Sequence, residues 1–477
     1  MQSISAQEFN FDMDQMKREF EQFKKSAVKE YSDFRDKANS EYADFLRAAW
    51  KECGIEEPVT PPTPDPPVAP VCPPREKGKP IAPKPMPYKK ITPLAPPPVP
   101  PTPKPIAPIK EPEVPYSIPM PISYFGAKCD VRLVPGVGDI KLNGVSENDV
   151  ADAWKELSDG RFDLMLADCL KYRESLKLCD WGYYTLTKMV AETFCEAKST
   201  NTTKLLQAYL MTQAGYQVRL ARANDKIYLM LPSESTIYSA KFCKFDGVKY
   251  YFLDEDFKGG GFFISPAKFP GEQGFSIRMT NHPQLPETEG MTRTLSSKRY
   301  PEAKVTVEVN KNLINFYDNY PRTTWDIFSH SSLCNSTKEA MYPTLKKVIE
   351  GKSQLEAANI LINFVQTGFE YKVDDEQFGY ERSFFGDETI FYDYSDCEDR
   401  AILFSILVRD LLGLDVALLY YPGHLATAVK FDEKVEGDYL KVGDNLYTVC
   451  DPTYIGASCG ETMTGMDNNQ AEVYLLQ

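Results

Sequence analysis

Cysteine, histidine and aspartate recur at equal intervals in the C-terminal part of this 477-residue chain. Cys397 stands in "DYSDCEDRAILFSILVRDLLG", His424 in "LLYYPGHLATAV" and Asp451 in "NLYTVCDPTY", with 27 residues from each to the next. Only three histidines occur in the whole sequence, so the pairing is not one choice among many. An ionised thiol attacks carbonyl carbon when a base lies within hydrogen-bond reach and a third group orients that base. The neighbours of Cys397 oppose ionisation, because Asp396, Glu398 and Asp399 are acidic. A thiolate there needs a cationic partner, and His424 as an imidazolium would supply it.

The elements around these residues suit that geometry. Ile402, Leu403, Ile406, Leu407, Leu411 and Leu412 recur at spacings of 3 and 4, which predicts a helix with one face on a core. Gly413 is a natural stop, and Ser395 or Asp396 can cap the start. Cys397 then lies in the first turn, where free backbone N–H groups and the positive helix end favour a thiolate. His424 opens an apolar, strand-like run, and "NLYTVC" is a strand that Pro452 prevents from continuing regularly past Asp451. Helix start, strand, neighbouring strand is an order that brings the three groups together. A zinc site using Cys397, His424 and either Cys450 or Asp451 is the competing chemistry. Strand alternation points Cys450 and Asp451 to opposite faces, and zinc usually draws its ligands from closer pairs, so no metal or cofactor is expected.

The stretches "DYSDCEDRA", "GHLATAV" and "CDPTY" resemble the transglutaminase-like superfamily, relatives of the papain-type cysteine proteases whose bacterial members often begin the helix with GDCxD. The upstream "FEYKVDDEQFGYERSFFGDETIFYDY" fits as well, with its FxY strand and DET element, and the resemblance spans about residues 345 to 460. It implies an α+β, papain/transglutaminase-like fold with Cys397 as nucleophile, His424 as general base and acid, and Asp451 as orienter. Ser395 stands where many relatives have Gly, and no side chain matches an oxyanion donor, which leaves the backbone N–H of Cys397. The activity implied is thiol-dependent acyl transfer on peptide or protein amides. Hydrolysis by a peptidase or amidase is the first expectation, and protein-glutamine transglutaminase cross-linking is the second. A scaffold or binding protein with a vestigial triad is the alternative from another class.

A shift of 198 residues brings "TNTTKLLQAYLMTQAGYQVRLARANDKIYLML" under "DRAILFSILVRDLLGLDVALLYYPGHLATAV" with little adjustment. Gly215 then meets Gly413, Lys226 faces His424, Ser199 faces Cys397, and Asp254 meets Asp451 after a one-residue slip. This predicts a degenerate, non-catalytic copy that supplies a wall of the substrate cleft, unless the match is a coincidence of two helix–strand units.

The rest of the chain frames these two units. Residues 1–57 read as a long amphipathic helix built on 11-residue repeats, "EFEQFKKSAVK", "EYSDFRDKANS" and "EYADFLRAAWK", whose aromatic stripe predicts self-association or partner docking through residues 7–53. Of 37 prolines, 26 fall in 58–121, which reads as a polyproline II spacer able to hold the helix on the order of 200 Å away. An α+β domain at 122–256, a β-rich connecting region at 257–344 and the acyl-transfer domain at 345–477 complete the plan. A net charge of −14 without a Lys/Arg cluster argues against nucleic acid, and no apolar run suits a transmembrane segment. Eleven cysteines lack CxxC spacing. Ser5-Ala6 before Gln7 resembles the end of a secretory signal whose apolar part is missing here, so export to the periplasm or cell surface is expected, with a cytoplasmic location as the alternative.

Overall fold

The computed structural model describes residues 13–63, 70–73, 84–94, 101–198, 200–254, 257–288 and 291–476. Its mixed α/β architecture is built from two units of like order. The first opens with the hairpin β4 (Ile118–Tyr124) and β5 (Ala127–Leu133), preceded by α1 (Met13–Leu46) and three arm strands, β1 (Lys51–Cys53), β2 (Lys84–Pro85) and β3 (Lys90–Leu94). Helices α2 (Glu147–Leu157), α3 (Asp163–Ser175), α4 (Asp180–Phe194) and α5 (Asn201–Gln213) follow. The unit ends in β6 (Arg219–Ala223), β7 (Lys226–Pro232), β8 (Phe242–Phe245), β9 (Val248–Phe252) and β10 (Phe262–Ile264).

The second unit again begins with a hairpin, β11 (Thr292–Ser296) and β12 (Lys304–Glu308). Helices α6 (Lys311–Tyr317), α7 (Trp325–Ser329), α8 (Asn335–Ile349) and α9 (Gln354–Gly368) come next. After them run β13 (Glu370–Tyr371), α10 (Asp374–Gln377), α11 (Gly386–Phe391), β14 (Tyr394–Ser395) and α12 (Cys397–Leu412). The last elements are β15 (Asp415–Tyr421), β16 (His424–Lys430), β17 (Asp438–Val442), β18 (Asn445–Cys450) and β19 (Glu472–Leu476). The sheets share one strand order, β10-β6-β7-β9-β8 in the first unit and β19-β15-β16-β18-β17 in the second. The connecting region expected at 257–344 thus divides between the two units, and it holds only three short strands, β10, β11 and β12, beside helices α6, α7 and the start of α8.

Each sheet curls around its own apolar filling. Tyr228, Met230, Phe252 and Phe262 fill the first, and Leu419, Tyr421, Val449 and Val473 the second. The N-terminal arm closes both curls. In the first, β1 pairs with edge strand β10, and three residues later Glu56 donates to Phe242 O on the opposite edge at 2.8 Å. In the second, β2 pairs with β17 at one edge and β3 with β19 at the other, separated by only four residues. The expectation of an extended spacer is therefore corrected for the described stretches. Prolines pair at sheet edges where no N–H is required, and Gly215 (φ 95°) approaches Lys104 so closely that a Cβ would lie 2.2 Å from its carbonyl oxygen.

The helix expectation is corrected in part. α1 packs on the first unit, with Arg35 ion-paired to Asp163 at 2.6 Å, Asn39 hydrogen-bonded to Gln213, and Tyr42 against Trp154 at 4.7 Å between ring centres. Phe20, Tyr31, Phe34 and Phe45 stay at least 50% exposed. The reason is where the helix docks: among its described side chains the buried ones, Arg35, Ala38, Asn39, Tyr42, Ala43 and Leu46, all lie within 35–46. Phe20 and Tyr31 therefore precede the docked segment, and Phe34 and Phe45 sit about 80–100° round the helix from Arg35. The side chains of Phe23 and Ala27, and residues 7–12, lie outside the described residues.

Candidate active site

α12 begins with a complete capping box: Asp396 accepts the Asp399 N–H, and the Asp399 carboxylate reaches back to the Asp396 N–H. Asp396 rather than Ser395 is thus the cap, and Cys397 is the first helical residue. From Cys397 to Val408 the helix is buried on all sides, packed between α9, α11 and the second sheet, and Gly413 ends it in the left-handed conformation (φ 67°). His424 is fixed by the hairpin that precedes it. Tyr421 and His424 are paired across a two-residue turn in which Pro422 and Gly423 (φ 88°) occupy the positions a type II turn prefers for them. His424 is therefore the first residue of β16, with its ring 6.4 Å from that of Tyr421.

Asp451 follows the last residue of β18, and its two oxygens have separate partners. Oδ1 accepts the N–H groups of Thr453 (2.9 Å) and Tyr454 (3.0 Å), and Oδ2 receives Nε2 of His424 at 2.7 Å. With Nε2–H donating to the carboxylate, Nδ1 carries the lone pair, and it has no hydrogen-bond partner among the described residues. Cys397 Sγ accepts the N–H of Leu425, the residue after His424, at 3.3 Å. Asp451 and His424 are thus joined directly, Cys397 meets the backbone of the residue after His424, and Cys397 and His424 are 0% exposed. A protonated thiol finds an acceptor in Glu398 Oε2 at 3.6 Å, which opposes ionisation, whereas the helix start and the Leu425 N–H favour it.

Two residues that the sequence reading did not single out hold the site in place. Gln366 is buried, and its amide donates to the carbonyls of Asp451, Tyr454 and Ala457 at 2.9–3.0 Å while accepting from Gly456 N. Arg400, one turn after Cys397, is buried with its guanidinium on Ser395 Oγ and on the carbonyls of Gln366 and Phe369, and burial pulls its pKa down. The available signal was polarity out of place: Asn363 and Gln366 fall in and beside the apolar run Ile360–Val365 of α9, and Arg400 directly precedes the apolar run of α12. A further group, Asp374, Asp396 and Glu398, is buried with one carboxylate oxygen from each within 4.8 Å of the others, a donor set suited to a hard divalent cation rather than zinc.

The first unit keeps part of this arrangement. Asp254 follows β9 as Asp451 follows β18, but its carboxylate is ion-paired with Lys204 of α5, both buried. Lys226 heads β7 as His424 heads β16, yet it is exposed. Ser199 lies outside the described residues. No family model, no curated protein and no solved structure matches the chain.

Proposed function

We propose that the protein is a thiol-dependent acyl-transfer enzyme acting on peptide or protein amides, more a cysteine peptidase or amidase than a cross-linker, with a papain/transglutaminase-like second unit. One observation carries this reading: Asp451 holds His424 by Nε2 at 2.7 Å, leaving Nδ1 as the basic edge, while the next N–H of the same strand holds Cys397 Sγ. Nδ1 takes the thiol proton and the thiolate adds to the amide carbonyl. The backbone N–H of Cys397 faces the developing oxyanion, and the imidazolium protonates the departing amine. Water then releases the acyl group, or a lysine amine takes it. An exported location fits a secreted protein substrate.

Complete burial of the thiol favours a second reading, a binding protein with a vestigial triad. Iodoacetamide at pH 6, with peptide mapping, separates the two. On the first reading Cys397 is alkylated before the other ten cysteines, His424→Ala slows it by about tenfold or more, and Cys397→Ala abolishes amide turnover. An inert Cys397 at pH 6, or a rate unmoved by His424→Ala, removes the enzyme reading.

A further inference from the structure

Two cavities lie side by side between the units, one of about 700 Å³ and one of about 1230 Å³, and Pro62, Tyr238 and Trp325 line both. They form one trough divided at these side chains. At one end the trough is bounded by Asp254 and Phe257 of the first unit, and by Tyr380 of the loop before α11. At the other end it reaches Tyr420, whose ring lies 5.2 Å from that of Trp325. Tyr420 is the register partner of Leu425, the residue whose N–H holds Cys397 Sγ. Burial raises the pKa of the Tyr420 phenol.

The chain's own arm enters this trough. After pairing with Phe242 through Glu56, it accepts the Ser239 N–H at Val59 O (2.9 Å) and lays Pro61 and Pro62 into the cavity wall. Backbone pairing followed by prolines against aromatic rings is how extended, polyproline II segments are recognised. In the smaller cavity Arg382 pairs with Asp318 and Glu388, and Lys241 donates to Lys258 O.

We propose that the trough binds an extended, proline-containing polypeptide and leads it to Cys397, with Pro61 and Pro62 marking one of its subsites. The delivery to Cys397 rests on the acyl-transfer reading, whereas the binding does not. The probe is a fluorescein-labelled peptide of the arm's own sequence, EPVTPPTPD, added to the full chain and read by anisotropy, beside EAVTAATAD as the proline-free control. The expected result is saturable binding of the first peptide at micromolar concentration, at least tenfold weaker binding of the control, and tighter binding once Pro61→Gly and Pro62→Gly vacate the subsite. Tyr380→Ser, at an exposed position where folding is not at stake, weakens the proline peptide about tenfold. Equal binding of both peptides, no saturation up to millimolar concentration in either protein, or indifference to Tyr380→Ser overturns the proposal. The two readings fail separately: binding with an inert Cys397 leaves the trough and removes the enzyme, and a reactive Cys397 without binding does the reverse.

Discussion

One carboxylate at Asp451 performs two tasks, since Oδ1 closes the turn that ends β18 while Oδ2 fixes the imidazole. Its position therefore depends on whatever holds that turn, and three of the turn's carbonyls rest on Gln366. Gln366→Leu keeps the volume and removes both donors. Alkylation of Cys397 is expected to slow about tenfold or more, with its pH inflection shifted upward as His424 loses its anchored partner; an unchanged inflection means that Gln366 supports only the fold. A second residue-scale expectation concerns pH. Burial pushes the Asp180 carboxyl up to about 6 from an ordinary value of 3.8, against the opposing hydrogen bonds from Ser276 N and Tyr216 Oη. The folded state therefore holds a proton that the unfolded state releases, so this group's contribution is complete below pH 4 and falls as pH rises toward 6, by about 3 kcal/mol. Asp180→Asn removes that loss, and urea midpoints of variant and parent are expected to diverge between pH 4 and 6 and run parallel above; parallel curves throughout would refute the shift. At this scale the sequence was informative where chemistry-bearing types are rare, as with three histidines in 477 residues. It was silent on Gln366 and Arg400, because their partners are largely backbone carbonyls, which every residue offers.

At the scale of elements, periodicity located α12 and placed Cys397 within its first turn, but it did not find α6, α7, α10 or α11. It misassigned the face of α1. An aromatic stripe announces an apolar face, but the docked face is set by Arg35, Asn39 and Tyr42, two of which are polar. A buried ion pair such as Arg35–Asp163 registers the helix on α3 more than it stabilises it, because desolvation offsets much of the attraction. Arg35→Ala strands a buried carboxylate and is expected to cost about 3 kcal/mol, while Arg35→Leu with Asp163→Leu costs clearly less. Thermal midpoints of the two variants decide this, and a double variant no better than the single one would show that the pair itself is the stabilising contact. The exposed stripe of Phe20, Tyr31, Phe34 and Phe45 is left for whatever the helix meets.

At the scale of the whole molecule, the two units repeat the same helix-and-sheet order, and the arm treats their sheets alike, running from one edge of each curl to the other. Composition concealed this, since a proline-rich stretch looks unable to enter a ladder. The ladder is nonetheless possible at an outer edge, where β3 pairs with β19 over Lys90–Leu94 and its outward groups need no partner. What the arm covers is a liability: β17 and β19 without it would each present a row of unpaired backbone groups beside strongly apolar strands. Replacing residues 90–94 with Gly and Ser keeps the chain connected and removes the side chains that seat the strand. The expected outcome is a lower thermal midpoint together with concentration-dependent association through the opened β19 edge, seen by light scattering after size exclusion. Because Val473 and Leu475 on β19 belong to the filling of the same curl that carries His424 on β16, the loosening should also raise the rate at which Cys397 meets iodoacetamide. A variant that stays monomeric with an unchanged midpoint would show that the curl closes without its arm.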